Sequence, residues 1–341
     1  MERQALYFTG PRQVALANET LPSPAVGQVL VQSIMSAISP GTELLVYRGL
    51  APADLATDST ITALAGDFSF PLKYGYAAVG QVRELGPGVA PDWKGRIVFA
   101  FQPHVSHFLA TPDELLGVPA GLNPEAAVFF PNLETALTLL LDGQPLLGEQ
   151  VAIFGQGIVG LLLTALISRW PLSSLVTLDL YPRRRLLSED LGAHLSLDPS
   201  TPDAMERLAK ALQASGPCPG ADLCYEISGN PAALDQAIAV TGFSGRVIIG
   251  SWYGRQRSDL NLGGSFHRSR MRLISSQVSS IAPDLTGRWD KTRRHHVTWQ
   301  MLGQVQPTRF ITHRFPIAQA AQAYALIDNH PEDVIQVILE Y

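Results

Sequence analysis

Cysteine is nearly missing from this chain: only Cys218 and Cys224 occur in 341 residues, with Pro219-Gly220 between them. Such a pair supplies neither a disulfide framework nor a paired Cys-x-x-Cys zinc site, and it suits a reducing, cytoplasmic setting. Long apolar runs are missing too. No segment approaches the roughly 20 apolar residues of a membrane span, and Met1 to Gly10 has no signal-peptide core or small-residue cleavage site, so neither membrane nor export is expected. Charged residues make up only 16%, with a net charge of −5. The basic residues form no run suited to a phosphate backbone, which excludes nucleic acid as an expected partner. Internal repeats and low-complexity tracts are absent.

What is present is 46% hydrophobic, enough for two compact units at this length. Through about residue 120, short alternating or apolar runs are punctuated by Pro and Gly: Val14 to Ala17, Gln28 to Ser36, Ala77 to Leu85, Arg96 to Phe101 and His107 to Ala110. These are strand signals, hence a β-rich unit. The texture changes at Asn123-Pro124, after which Glu125 to Leu141 reads as one long helix closed by Asp142-Gly143. From Gln150, strands (Val151 to Phe154, Leu175 to Leu180, Ala221 to Glu226, Arg246 to Gly250) alternate with helices (Ile158 to Arg169, Arg184 to Leu191). That alternation predicts βαβ units and a parallel sheet. A last helix, Ile317 to Ile327, and a last strand, Val334 to Leu339, fit a return to the N-terminal unit.

The turn Gly155-Gln156-Gly157-Ile158-Val159-Gly160 follows an apolar strand and opens an apolar helix, which is the context a dinucleotide fingerprint requires. Gly155 allows the tight turn, Gly157 the approach of a pyrophosphate, and Gly160 the close packing of helix on strand, while the helix N-terminus offers free N–H groups to the anion. About 20 residues further on stands Asp179, placed to accept bonds from ribose hydroxyls and to repel a 2′-phosphate. NAD is expected over NADP. Arg183, Arg184 and Arg185 leave NADP open, since each guanidinium either faces solvent or turns inward to that phosphate.

The chain resembles the medium-chain dehydrogenase/reductase superfamily, the relatives of zinc-type alcohol dehydrogenases. The resemblance rests on Pro40-Gly41-Thr42-Glu43, Gly75 to Gly80, Gly95 to Val98, the glycine turn, Asp222 to Gly229 and Gly245 to Gly250, and it covers nearly the whole chain. It implies an α/β fold: a β-rich GroES-like catalytic domain over 1–130, completed by 283–341, and a doubly wound parallel Rossmann sheet over 131–282. Ser228, Gly250, Ser251 and Trp252 are expected at the cofactor, the last three at its nicotinamide end. A homodimer is implied by the resemblance alone.

In zinc-bearing members of the superfamily the metal is held at positions that match Ser39, Tyr76 with Ala77, and Phe130 here. None of these is a usual zinc ligand, and phenylalanine offers no donor. Lys94 to Pro119 also lacks the four cysteines of the family's structural zinc lobe. No zinc is expected. The motifs around Ile38 to Glu43 and Gly75-Tyr76 are most similar to the zinc-free branch that includes the hydroxyethyl bacteriochlorophyllide dehydrogenase.

A site without the ion needs a hydrogen-bond donor for the substrate oxygen and a route for the proton. Tyr76 is the first candidate, with Thr42 and Ser39 as proton relays or, equally, as turn residues after Pro40. Glu43 is expected to orient backbone or an arginine. Glu134, among Phe129, Phe130, Leu137 and Leu139, would have a raised pKa if buried, which suits a general acid or base near the nicotinamide; helix-end capping or an exposed face is the alternative. His104 and His107 read as a solvated loop pair, and Arg268, Arg270 and Arg272 as an exposed stripe on one face of a strand.

The reaction these residues fit is interconversion of a secondary alcohol and a ketone by hydride transfer. An NADPH-dependent enoyl or quinone reductase and a non-catalytic cofactor-binding protein are the alternatives. The loops Gly49 to Pro71 and Ser280 to Arg294 carry no signature that names a substrate.

Overall fold

The computed structural model describes residues 1–52, 54–58, 60–213 and 219–341. The chain divides into two compact units, Met1–Pro131 with Leu302–Tyr341, and Asn132–Met301.

The first unit opens with a hairpin, β1 (Glu2–Gly10) and β2 (Gln13–Thr20). A seven-stranded sheet follows. Its long central strand β3 (Val29–Ile38) pairs with β4 (Ala78–Leu85) and β6 (His107–Ala110), while β5 (Ile97–Ala100) and β7 (Leu116–Gly117) extend the β4 side. Val29, Val31, Val82, Val98 and Phe108 alternate inward and form an apolar core, as period-two burial requires.

Between β3 and β4 lies α1 (Pro40–Tyr47), a helix where the sequence suggested a turn. Pro40 favours it, because proline at the first helical position gives up an N–H that would have no partner there. The single helix expected over Glu125 to Leu141 is instead two, α2 (Pro124–Ala127) and α3 (Phe130–Gly143). Pro131 explains the break: it has no N–H to continue the ladder, and its ring crowds the carbonyl four residues back.

The second unit carries β8 (Gln150–Phe154), α4 (Ile158–Ile167), β9 (Ser174–Leu178), α5 (Pro182–Asp190), β10 (Leu195–Leu197), α6 (Ala204–Gln213), β11 (Ala221–Glu226), α7 (Pro231–Val240), β12 (Thr241–Ile249) and β13 (Arg272–Ser275). All five pairings are parallel, in the order β10-β9-β8-β11-β12-β13. This is the doubly wound Rossmann order, which reverses between β8 and β11. Both faces are covered, so β8 is buried along its whole length.

Cys224 is fully buried in this core; Cys218, which the sequence pairs with it, lies outside the described residues. The expected arginine stripe does not form. β13 begins only at Arg272, and Arg270 has a φ of 52°, a left-handed conformation that a strand does not accommodate.

Helix α8 (Lys291–Val305) leads back to the first unit, whose last elements are β14 (Ile311–Pro316), α9 (Ala320–Asn329) and β15 (Gln336–Glu340). β15 pairs with β3 and carries β14 on its other side, at the edge of that sheet. The return begins at Leu302 rather than at residue 283, since Arg294 is buried against Glu134 and Thr138 of the second unit. No helix among the described residues is long and apolar enough to cross a membrane.

Candidate active site

The turn after β8 has the geometry of a dinucleotide cradle. Gly155 sits at φ +99°, and a Cβ there would lie 2.6 Å from the Ser228 Cα; one on Gly160 would lie 2.1 Å from the Gly155 oxygen. A side chain at Gly155 would push the turn off the loop that follows β11, and one at Gly160 would force the helix off the turn. At Gly157 the added Cβ would meet nothing within 4 Å, so this is the open face of the turn. Gly157 also caps α4 without a side-chain bond, leaving the first amides of Ile158, Val159 and Gly160 for an anion. The residues present therefore fit a nucleotide pyrophosphate.

Gln156 is fully buried and holds the turn from within. Its amide donates to the Gly155 oxygen at 3.0 Å, its carbonyl accepts from Thr164 at 2.9 Å, and its backbone N–H donates to Asp179 at 2.7 Å. Asp179, just past β9, also accepts from the Tyr181 N–H at 2.9 Å. Arg184 lies 3.8 Å from this carboxylate with its guanidinium 4.7 Å from the Tyr181 ring centre. Arg185 turns toward the Asp179 and Leu180 carbonyls and Asp198.

The loops after β11 and β12 join at the same sheet edge. Ser251 accepts from the Gly229 N–H at 2.9 Å, and Ser228 donates to the fully buried Glu226 at 2.5 Å, which also takes the Tyr253 hydroxyl. Trp252, between Ser251 and Tyr253, is half-buried. Ligands of doubly wound sheets bind at this carboxyl edge. Glu226 and Tyr253 form part of it, though neither was singled out as a site residue.

Glu134 is buried, but not as an isolated carboxyl in apolar surroundings. It accepts from Arg294 at 2.7 and 3.0 Å and lies 3.0 Å from His295 Nε2. Arg294, 1% exposed, reaches on to the Thr138 hydroxyl and the Val278 and Ser280 carbonyls. The carboxylate is thus the counter-ion of a clamp on the loop that follows β13, and the ground for treating it as an acid or base falls away. Both partners lie in or beside the stretch that carried no signature, 160 residues away in sequence.

The first unit gathers the hydroxyls. Tyr76 donates to Ser39 Oγ at 2.5 Å, and burial pushes its phenol up to about 12, against the pull of its bonds to Ser39 and Thr42. Ser39 is the N-cap of α1, yet its side chain makes no capping bond. A serine there normally caps the helix, worth about 1 kcal/mol. Instead, Glu43 reaches back from within the helix to accept the Ser39 N–H at 2.8 Å.

Glu43 does orient backbone, as expected, but its other partners are His104, at 3.0 Å, and the Tyr324 hydroxyl, not an arginine. His104 is no solvated loop residue: it is fully buried, with Nδ1 2.7 Å from Ser36 Oγ. Phe130, at the third position of the family's metal site, is buried with its ring centre 5.1 Å from that of Phe99 and 6.2 Å from that of Phe101.

A parallel dinucleotide-type unit and a β-rich unit make up the fold seen in solved alcohol dehydrogenases, and over nearly its whole length the sequence is similar to zinc-type alcohol dehydrogenase-like proteins of the medium-chain dehydrogenase/reductase superfamily. No family model matches the sequence. D-guloside 3-dehydrogenase of Escherichia coli K12 is 22% identical over 97% of this chain and 98% of its own length. The 2-desacetyl-2-hydroxyethyl bacteriochlorophyllide A dehydrogenase of Cereibacter sphaeroides is 23% identical over 100% of this chain and 99% of its own. Among solved structures, an alcohol dehydrogenase from E. coli CFT073 complexed with NADH superposes with a TM-score of 0.80 at 17% identity, covering 100% of this chain and 99% of that one.

Proposed function

We propose that this chain is a zinc-independent, NAD-preferring oxidoreductase that interconverts a secondary alcohol and a ketone. The observation that carries the reading is the Ser39 hydroxyl, withheld from the start of its own helix and paired with the Tyr76 phenol at 2.5 Å. The similar proteins named above are dehydrogenases, and one of them was solved with NADH.

A nicotinamide bound on the glycine turn would supply or accept hydride at its C4. The chain's own residues must then manage the oxygen. In ketone reduction, negative charge grows on the carbonyl oxygen as the carbon gains hydride. Tyr76, held protonated by burial, gives its proton to that oxygen, and the Ser39 and half-buried Thr42 hydroxyls relay a proton from solvent back to the phenolate. In alcohol oxidation the proton leaves by the same route. A phenol, a serine and a buried phenyl offer none of the thiolate, imidazole or carboxylate donors that zinc takes, which supports a reaction run without it. Among the described residues, the one group of three potential ligand side chains within mutual reach is the exposed His330, Glu332 and Asp333.

Purified protein should oxidise NADH in the presence of a secondary-ketone panel and reduce NAD with the matching alcohols. The rates should survive dialysis against chelator, and elemental analysis should find no stoichiometric zinc. Activity that needs restored zinc, or turnover confined to enones with NADPH, would overturn the proposal.

Coenzyme choice is tested at Asp179. The variant Asp179→Ser removes the charge that repels a 2′-phosphate and releases Arg184 from its 3.8 Å ion pair. The expected result, by fluorescence titration, is NADPH binding tightened about tenfold, ~1.4 kcal/mol, with NADH binding weakened. Unchanged selectivity would remove Asp179 from the specificity argument.

A further inference from the structure

We propose that Glu43 and His104 form a buried anchor that sets the geometry of the Ser39–Tyr76 hydroxyl pair, and that Tyr341 is the far end of that anchor. This rests on the reading of Tyr76 and Ser39 as the proton-transfer pair.

Glu43 is wholly buried and takes three donors: the Ser39 N–H at 2.8 Å on Oε1, His104 Nε2 at 3.0 Å on Oε2, and the Tyr324 hydroxyl, also on Oε2. A buried carboxylate costs several kcal/mol unless it is fully bonded, so this arrangement leaves it one position. That position dictates where the Ser39 N–H points, and hence where the Ser39 side chain stands.

His104 acts on Tyr76 from the other side. A Cβ on Gly75 would lie 2.7 Å from His104 Nε2, and Gly75 has a φ of +115°. The ring therefore rests directly on the backbone that precedes Tyr76. With Nε2–H given to Glu43, Nδ1 accepts from Ser36 Oγ at 2.7 Å, and Ser36 accepts from the Tyr341 hydroxyl at 2.8 Å. In this tautomer every donor in the series has an acceptor. The members come from β3, α1, the loops before β4 and β6, α9 and the residue after β15, so no local interaction alone would hold them.

Without Glu43, the Ser39 N–H loses its acceptor, the start of α1 relaxes, and Ser39 Oγ is released to cap the helix in the ordinary way. Tyr76 then loses the partner that aligns it. Glu43 and His104 are positioning residues: neither touches substrate in this scheme.

The test uses the full chain carrying 13Cζ-labelled tyrosine, with the Tyr76 signal assigned by its loss in Tyr76→Phe. In Glu43→Gln the Tyr76 signal should shift and kcat should fall about 10–100-fold, the usual effect of losing a residue that orients a functional group, with the Kd for NADH within about twofold. His104→Gln, which can still donate to Glu43, should keep kcat within about threefold, whereas His104→Leu should behave like Glu43→Gln. Tyr341→Phe should move the Tyr76 signal less than either. The double variant Glu43→Gln with Tyr76→Phe should be no slower than Tyr76→Phe alone, because both act through one group.

An unmoved Tyr76 signal in a folded Glu43→Gln or His104→Leu protein, or additive losses in the double variant, would overturn the anchor. Should no alcohol or ketone turn over at all, the signal shifts still decide for or against it, and the dehydrogenase reading alone falls.

Discussion

Tyr76→Phe is expected to lower kcat for ketone reduction by about 10²–10³-fold while changing the NADH Kd by less than about twofold. The size follows from removing the donor that meets charge developing on the substrate oxygen, an interaction stronger in the transition state than in the ground state. The ring should keep its place. Tyr74 packs edge-on against it at 6.2 Å and 88°, and phenylalanine preserves that contact, so stability should change by only the ~1 kcal/mol of one hydrogen bond.

The pH dependence has a definite sign. Burial raises the phenol to about 12, so Tyr76 stays a donor across the neutral and mildly alkaline range. Its ionisation should put no limb on the rate profile until near pH 12. A steady-state comparison settles the matter: turnover within about threefold of wild type would remove Tyr76 from the chemistry, and a loss in KM alone would make it a binding residue.

Glu134→Gln is expected to destabilise the second unit by about 3–5 kcal/mol, because it removes the carboxylate hydrogen-bonded to the fully buried Arg294, whose charge is then left to the more distant Asp142. For a unit of this size that is a fall of roughly 10 °C in melting temperature, readable by calorimetry. The Val278 and Ser280 carbonyls would keep a donor, but one that has lost its directly bonded counter-ion. The paired change Glu134→Leu with Arg294→Met should recover part of the loss. It removes both charges, yet leaves Thr138 and the two carbonyls short of a donor, and each such group costs about 1–3 kcal/mol. A Glu134→Gln protein that melts like wild type and is inactive would instead restore Glu134 as an acid or base.

These outcomes separate what was legible from what was not. The strands and helices around the glycine turn could be read directly because parallel strands buried on both faces must be apolar and the turn must be glycine. Asp179 was readable for the same reason, since its spacing is set by one βαβ unit. The helix α1 was missed because Pro40-Gly41 signals a turn locally, and only Glu43 reaching back to Ser39 shows why a helix starts there. The helix predicted across Pro131 failed because apolar periodicity outweighed a single breaker.

Glu134 and His104 were misjudged in opposite directions. Each is defined by partners far along the chain, Arg294 for one and Glu43, Ser36 and Gly75 for the other. A sequence window contains no trace of such partners.

By itself, then, the sequence determined the parallel nucleotide-type unit, its glycine turn, the acid that follows, and which residue types, Ser39, Tyr76 and Phe130, stand at the positions that the resemblance aligns with metal ligands. These are matters of local pattern, turn chemistry and residue identity. Only the tertiary structure decided which polar side chains meet one another: Ser39 with Tyr76 and Glu43, and Glu134 with Arg294. The free energy of a buried charge or hydroxyl depends on the partners that meet it in space, and those partners come from segments up to 305 residues apart.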